Sequence, residues 1–340
     1  MFDLTANPWT VLATDFPATG TLTEQMLFLL NYAVLAPSEY NTQPWLFKVT
    51  GRTVDLYVDR SRRLPVVDPN DREMTISCGA AFLNLRIAIR HFGYTDEVDT
   101  HINHDNLDLL ASIRLGQRRK ATRQEQRLFH EILHRRTNRH PFESQAVPAS
   151  LLSTFQDIAE QQGAWFHVLQ EEARHAVADL IATGDRVQWA DRRFRRELAS
   201  WVRPEGPESR DGLPGYAYSR GNFAASISPF VVRTFDMGNG EAAKDHQLVA
   251  GSPVLAVLGT PADTRSDWFS AGQVVEQILL YACAEGVRVS LVNQPIEIAT
   301  LRASLRDIVE RNGFPQIVLR MGYGEEVPPT PRRSVREVLL

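Results

Sequence analysis

The chain has 340 residues, of which 43% are hydrophobic and 23% charged, with a formal net charge of −4. This is the balance of a soluble globular protein. It offers no basic surface for nucleic acid and no apolar run near the roughly 20 residues of a membrane span. Its two cysteines, Cys78 and Cys283, have no metal or redox spacing.

The first strong element is a helix over 21–35. Thr21 and Glu24 form a capping box, and Met26, Phe28, Leu29, Leu30 and Val34 leave almost no polar face, so the helix should be buried. Pro37 ends it. A polar loop with Ser38, Glu39, Asn41 and Thr42 follows, and strands at 45–49 and 54–58 flank a hairpin turn at Gly51. A helix over 71–93 carries Ala81, Phe82, Leu85, Ile89 and Phe92 on one face, and strand-like segments lie at 97–102 and 109–113. The charged run 116–120 is the best boundary, dividing the chain into 1–118 and 119–340. Beyond it come a helix over 124–133, the basic cluster 134–139, a helix beginning near Pro148, a strand at 165–169 and a mostly helical stretch over 171–202. Segment 203–246 has little periodicity and many glycines. Such long connections are uncommon in compact domains and often serve as lids or binding loops. A fully apolar strand at 254–258, a helix over 270–285, a strand at 287–291, a helix over 298–312 and a strand at 316–321 complete the pattern. The start of the chain has no basic region followed by an apolar core, so the expected location is the cytoplasm.

One internal match stands out. Gly79 and Gly93 bound an apolar helix, as do Gly272 and Gly286, and both pairs are 14 residues apart. Helices of this length are ordinary, so the match fits a duplicated architecture without requiring it.

The pattern Ala36, Pro37, Ser38, Asn41, Gln43, Pro44, Trp45 after a long helix resembles the flavin-contacting loop of the nitroreductase family. The chain is most similar to the long, single-chain Acg-like branch, in which one polypeptide carries two diverged copies of the fold. The resemblance implies an α+β three-layer sandwich, a mixed sheet flanked by helices, with two pseudo-repeats and FMN bound between them. Pro37 and Ser38 would lie near the ribityl phosphate, and Asn41 would offer both an amide donor and an acceptor. Glu39 stands where the family often has a small residue. Arg136, Thr137 and Arg139 resemble the Arg-Ser-x-Arg phosphate motif, with Arg136 as the cation near the flavin N1–O2 end. Arg332 and Arg333 resemble the closing basic pair. Taken alone, each basic cluster is more often a solvated surface; together, at the two ends of the second half, they support each other. Backbone at Leu291, Asn293 and Gln294 would approach the reactive N5, although those residues also read as a plain turn.

The loop occurs only in the first half and the basic motif only in the second. The expectation is therefore one FMN per chain in a single cleft made by both halves, in a monomer or a weak homo-oligomer. No Gly-x-Gly-x-x-Gly motif is present, so NAD(P)H would enter the flavin cleft as a transient donor and a small electrophile, such as a nitroaromatic or quinone, would follow it. No catalytic side chain is required. The alternative is a non-catalytic FMN-sequestering protein in which 203–246, with Trp201, Tyr216, Tyr218 and Phe223, covers the ring. Nine histidines form no metal-ligating spacing.

Overall fold

Among the described residues, strands of the first and second parts of the chain each form a four-stranded sheet. The computed structural model describes residues 3–100, 106–203, 209–215 and 228–340. The first half contains α1 (Leu22–Ala33), β1 (Trp45–Thr50), β2 (Thr53–Val58), α2 (Arg72–His91), β3 (Tyr94–Thr100) and β4 (Leu109–Arg118). The second begins with α3 (Arg123–Ile132), α4 (Ala149–Gln161), β5 (Trp165–Val168), α5 (Glu171–Ala190), α6 (Arg192–Trp201), β6 (Val202–Arg203) and β7 (Leu213–Pro214). It continues through α7 (Pro229–Thr234), α8 (Gly238–Ala250), β8 (Val254–Thr260), α9 (Arg265–Ala284), β9 (Arg288–Leu291), α10 (Gln294–Glu297), α11 (Ala299–Val309) and β10 (Phe314–Gly322).

Local chemistry explains the main boundaries. The Thr21–Glu24 capping box forms in both directions and starts α1. Gly51, at φ 59°, turns the β1–β2 hairpin, whose register runs from Trp45 opposite Val58 to Thr50 opposite Thr53. Asp68 caps α2, its two carboxylate oxygens accepting from the Arg72 and Met74 amides at 2.8 and 2.9 Å.

The α+β class expected from the sequence holds, with one difference in pairing. Instead of one mixed sheet, the strands form two antiparallel sheets, ordered β1-β2-β4-β3 and β5-β8-β10-β9. Among the described residues, parallel pairing is confined to β6–β7 and to single bridges joining Phe47 to Leu339 and Thr137 to Val289. The long helices α2 and α9 pack against each other between the two sheets. The second sheet is covered on both faces, by α9 on one and by α5 and α11 on the other. Every residue of β8 is accordingly buried, whereas β2 alternates.

Of the four glycines of the sequence match, Gly79 and Gly272 lie inside α2 and α9 rather than at their starts. Gly79 and Gly272 face each other where α2 crosses α9: a Cβ on Gly79 would lie 2.2 Å from the Phe269 carbonyl oxygen, and one on Gly272 would lie 2.0 Å from that of Ile76. Gly93 and Gly286 follow the two helix ends in left-handed conformation, at φ 86° and 73°. The cores interlock across this crossing. Phe269 packs with the first half, its ring centroid 5.3 Å from that of Phe82, and Ile76 of α2 packs with the second half.

Two expected boundaries shift. β4 runs on to Arg118, paired with Tyr94, so the charged run 116–118 belongs to a strand rather than to the connection. Segment 203–246, read as irregular, contains α7 and most of α8; α8 presents polar residues to both solvent and a cavity, which hides its period. Tyr216, Tyr218 and Phe223, expected to belong to a cover, lie outside the described residues, as does the end of the strand expected to reach Ile102. No helix among the described residues is long and apolar enough to cross a membrane.

Candidate functional site

The loop after α1 is held in an unusual backbone conformation. Tyr40, Asn41 and Gln43 all have positive φ, at 48°, 55° and 52°. Such conformations are costly for residues other than glycine and persist where surrounding contacts determine them. Those contacts come from far along the chain. The Asn41 amide donates to the carbonyls of Gly212 and Pro331, both at 3.0 Å, and its Oδ1 accepts from Arg332 at 2.8 Å. The Gln43 side chain donates to the Arg210 carbonyl and accepts from the Arg333 amide, both at 2.8 Å. The Arg332 guanidinium also reaches the carbonyls of Leu35 and Ala36, and that of Arg333 reaches the Gln43 carbonyl.

The opposite face of the loop borders a cavity of about 200 Å³ between the halves. Pro37, Ser38, Glu39 and Tyr40 line it with Glu73, Ile76, Ser77 and Ala80 of α2. The second half contributes Thr137 and Arg139, the 290–294 segment, and side chains of α5, α8 and α10. Eight residues expected from the sequence therefore meet: Pro37, Ser38, Glu39, Thr137, Arg139, Leu291, Asn293 and Gln294. Arg139 is exposed and marks the mouth.

Four expected residues do not line the cavity. Asn41, Arg332 and Arg333 are spent on the hydrogen bonds behind the loop. Arg136 donates to the carbonyls of Leu133 and Arg135 and stacks 4.0 Å over Trp9. The carbonyls at the end of α3 and an aromatic face together claim the cation, a pairing that the motif alone does not reveal.

The cavity also gathers carboxylates. Glu39, Glu73 and Glu297 bring oxygens within 4.8 Å of one another. Glu73 Oε1 accepts from Arg72 at 2.6 Å and from Asn293 at 3.2 Å, and Glu297 accepts from Gln188. Burial pushes Glu73 up to about 8, against the pull of Arg72 and with help from Glu39 and Asp68. Burial likewise raises Glu297, with Glu73 and Glu39 adding to the effect, and raises Glu39 against Arg139. On the other side of α10, Gln294 Nε2 bridges Asp185 and Asp245 at 3.1 and 3.0 Å. Burial, followed by the Asp245 charge, raises Asp185 to about 7. Apart from Glu39, flagged as unusual for its position, sequence reasoning missed these groups. Glu73 sits in a helix first turn, where acidic residues are ordinary, and no local pattern joins residues 73 and 297.

Proteins of known sequence align with both halves together. A protein named “Putative NAD(P)H nitroreductase acg” from Mycobacterium tuberculosis is 27% identical over 329 residues, covering 95% of this chain and 97% of that protein. The chain is a relative of the Acg-like nitroreductases. A second M. tuberculosis protein carrying the same nitroreductase description is 29% identical over 333 residues, covering 96% of this chain and 93% of the relative. “Probable NAD(P)H nitroreductase PigM” of a Serratia strain is 25% identical over 339 residues, covering 91% of each. No family model matches the chain. Among solved structures, the FMN and NADPH-dependent nitroreductase NfnB from Sphigopyxis sp. strain HMH superposes with a TM-score of 0.43 at 19% identity, covering 62% of this chain and 96% of that one. With the alignments running through both halves, the cavity between them lies inside the length shared with the Acg-like relatives.

Proposed function

We propose that the chain is an FMN-dependent NAD(P)H oxidoreductase of nitroreductase type, with one FMN in the cavity between two pseudo-repeats. The observation that carries this reading is that cavity: eight residues drawn from three distant segments by family resemblance line one space. A site completed within one chain needs no partner subunit, which favours a monomer.

The residues present fit the cofactor. At the mouth, Thr137 offers a hydroxyl and Arg139 a guanidinium to a phosphate dianion. Deeper, Gln294 Oε1 is a buried acceptor with no donor among the described residues, suited to a ring N–H. Ile76, Ala80, Val275 and Ile317 supply apolar surface for ring faces. FMN, when bound, supplies hydride transfer through N5. The chain's part is to hold the ring edge at Gln294, anchor the phosphate at Arg139, and exclude water with the apolar wall.

The sequestering alternative also has a supporting observation. The 209–215 segment is hydrogen-bonded to the loop through Gly212–Asn41 and Arg210–Gln43, and its Leu213 lines the cavity. Anaerobic mixing of the FMN-saturated protein with NADPH, then NADH, separates the two. Rapid bleaching of the flavin band is the expected result. Persistent yellow colour with both donors, discharged by dithionite, refutes the oxidoreductase reading in favour of sequestration, and two FMN per chain refutes the single cleft.

A further inference from the structure

The cavity floor gathers more carboxyl groups than an anionic cofactor calls for. Among the described lining residues, six are carboxylates: Glu39, Glu73, Asp185, Glu241, Asp245 and Glu297. Three are cations, and two of those are engaged elsewhere: Lys244 pairs with Glu241 at 3.0 Å, and Arg320 donates to the carbonyls of His140 and Asn138. Arg72, which also serves the Gln316 carbonyl, meets only one oxygen of Glu73. The other, Oε2, belongs to a residue 5% exposed and has no hydrogen-bond donor among the described residues. Asp185, 4% exposed and lining the same space, has an Oδ2 in the same condition. Buried acceptors without donors are costly, and ionised ones much more so.

We propose that Glu39, Glu73 and Glu297 bind one divalent cation of the hard, oxygen-preferring class. The trio is assembled from the strained loop, the first turn of α2 and the α10 helix. Three atoms no more than 4.8 Å apart always share a point within about 2.8 Å of each, so a contraction of a few tenths of an ångström reaches calcium–oxygen distances of about 2.3–2.6 Å. Among the described residues the ligands of the cluster are all carboxylates, which disfavours zinc and favours calcium, magnesium or manganese. Water from the open cavity completes the coordination. The cation offsets two negative charges of the floor. On the flavin reading, it thereby strengthens FMN binding in the same cavity.

The test uses the full chain, stripped of metal by chelator and free of flavin, titrated with Mn²⁺ while the free ion is followed by electron paramagnetic resonance. The expected result is one Mn²⁺ per chain, displaced by Ca²⁺ and weakened about tenfold or more in Glu73→Gln and in Glu297→Gln. Both variants keep side-chain shape and remove a carboxylate ligand, and circular dichroism verifies their fold. Absence of saturable binding, or binding unchanged in both variants, overturns the proposal. FMN affinity is then measured by quenching of flavin fluorescence, with and without saturating Mn²⁺. A gain of about fivefold or more is expected, and an unchanged affinity refutes the linkage. Because the ion is read without flavin, Mn²⁺ binding in a chain that takes up no FMN would sink the flavin reading and support the ion site.

Discussion

Replacing Gly272 by alanine tests the joint between the halves. The new Cβ would lie 2.0 Å from the Ile76 carbonyl oxygen, 2.8 Å from its carbon and 2.9 Å from Gly79 Cα, all backbone atoms. Ordinary contact begins at 3.4 Å, so α2 and α9 must separate by about 1.4 Å at the crossing. Helix propensity acts the other way, favouring alanine over glycine by about 1 kcal/mol. Overpacking costs about 1–3 kcal/mol when side chains can adjust, and a clash between two helix backbones belongs at or above the top of that range. The expected net loss is about 2 kcal/mol or more, read as a lower urea midpoint at unchanged slope. Gly240→Ala is the control. It is also within a helix, but its Cβ would meet nothing within 4 Å, so the same substitution should stabilise by up to about 1 kcal/mol. A Gly272→Ala protein as stable as the parent would refute the close crossing. Because Ile76 and Ala80 of α2 face Val275 of α9 around the cavity, the same variant should also lose FMN affinity.

Arg332→Ala should destabilise by about 3 kcal/mol or more, because it strips donors from Asn41 Oδ1 and from the Leu35 and Ala36 carbonyls. Arg332→Lys should recover only part of this, since an ammonium cannot span the same fork; a loss below about 1 kcal/mol for the alanine variant would show that the loop holds its conformation unaided. Arg139→Gln, at an exposed position, should leave the melting temperature unchanged and weaken FMN binding about tenfold by removing a charge-assisted contact; equal affinity would remove Arg139 from the phosphate site. Glu276, 0% exposed and 3.6 Å from Arg135, is raised by burial from 4.5 to about 7, with Arg135, Asn84 and Arg332 opposing the shift. The folded state then binds the extra proton between those values, so Glu276 costs stability as pH rises through them. His91, lowered by burial to about 4, acts oppositely below its ordinary value, so the comparison is made between proteins. The stability advantage of Glu276→Gln over the parent should grow from pH 5 to 7 by up to about 1.4 kcal/mol per unit, and an advantage that shrinks would refute the assignment.

Features decided by neighbouring residues were legible in the sequence. The Thr21–Glu24 box, the Gly51 hairpin and the wholly apolar β8 depend on local sequence alone and are found where the sequence puts them. Gly79 and Gly272, read as helix boundaries, lie inside α2 and α9 and act at the crossing between them. The loop pattern around Ser38 also picked out residues that line the cavity between the halves. Tertiary structure decided which polar side chains face the cavity and which hold the loop from behind. Asn41, Arg332 and Arg333 have the composition of a binding motif, yet their hydrogen bonds run to one another and to backbone about 290 residues away in sequence. The convergence of Glu39, Glu73 and Glu297 is likewise invisible along the chain. Each is an ordinary acidic residue in its own segment, and only the packing of α2 against the second half brings their charges within reach of a single ion.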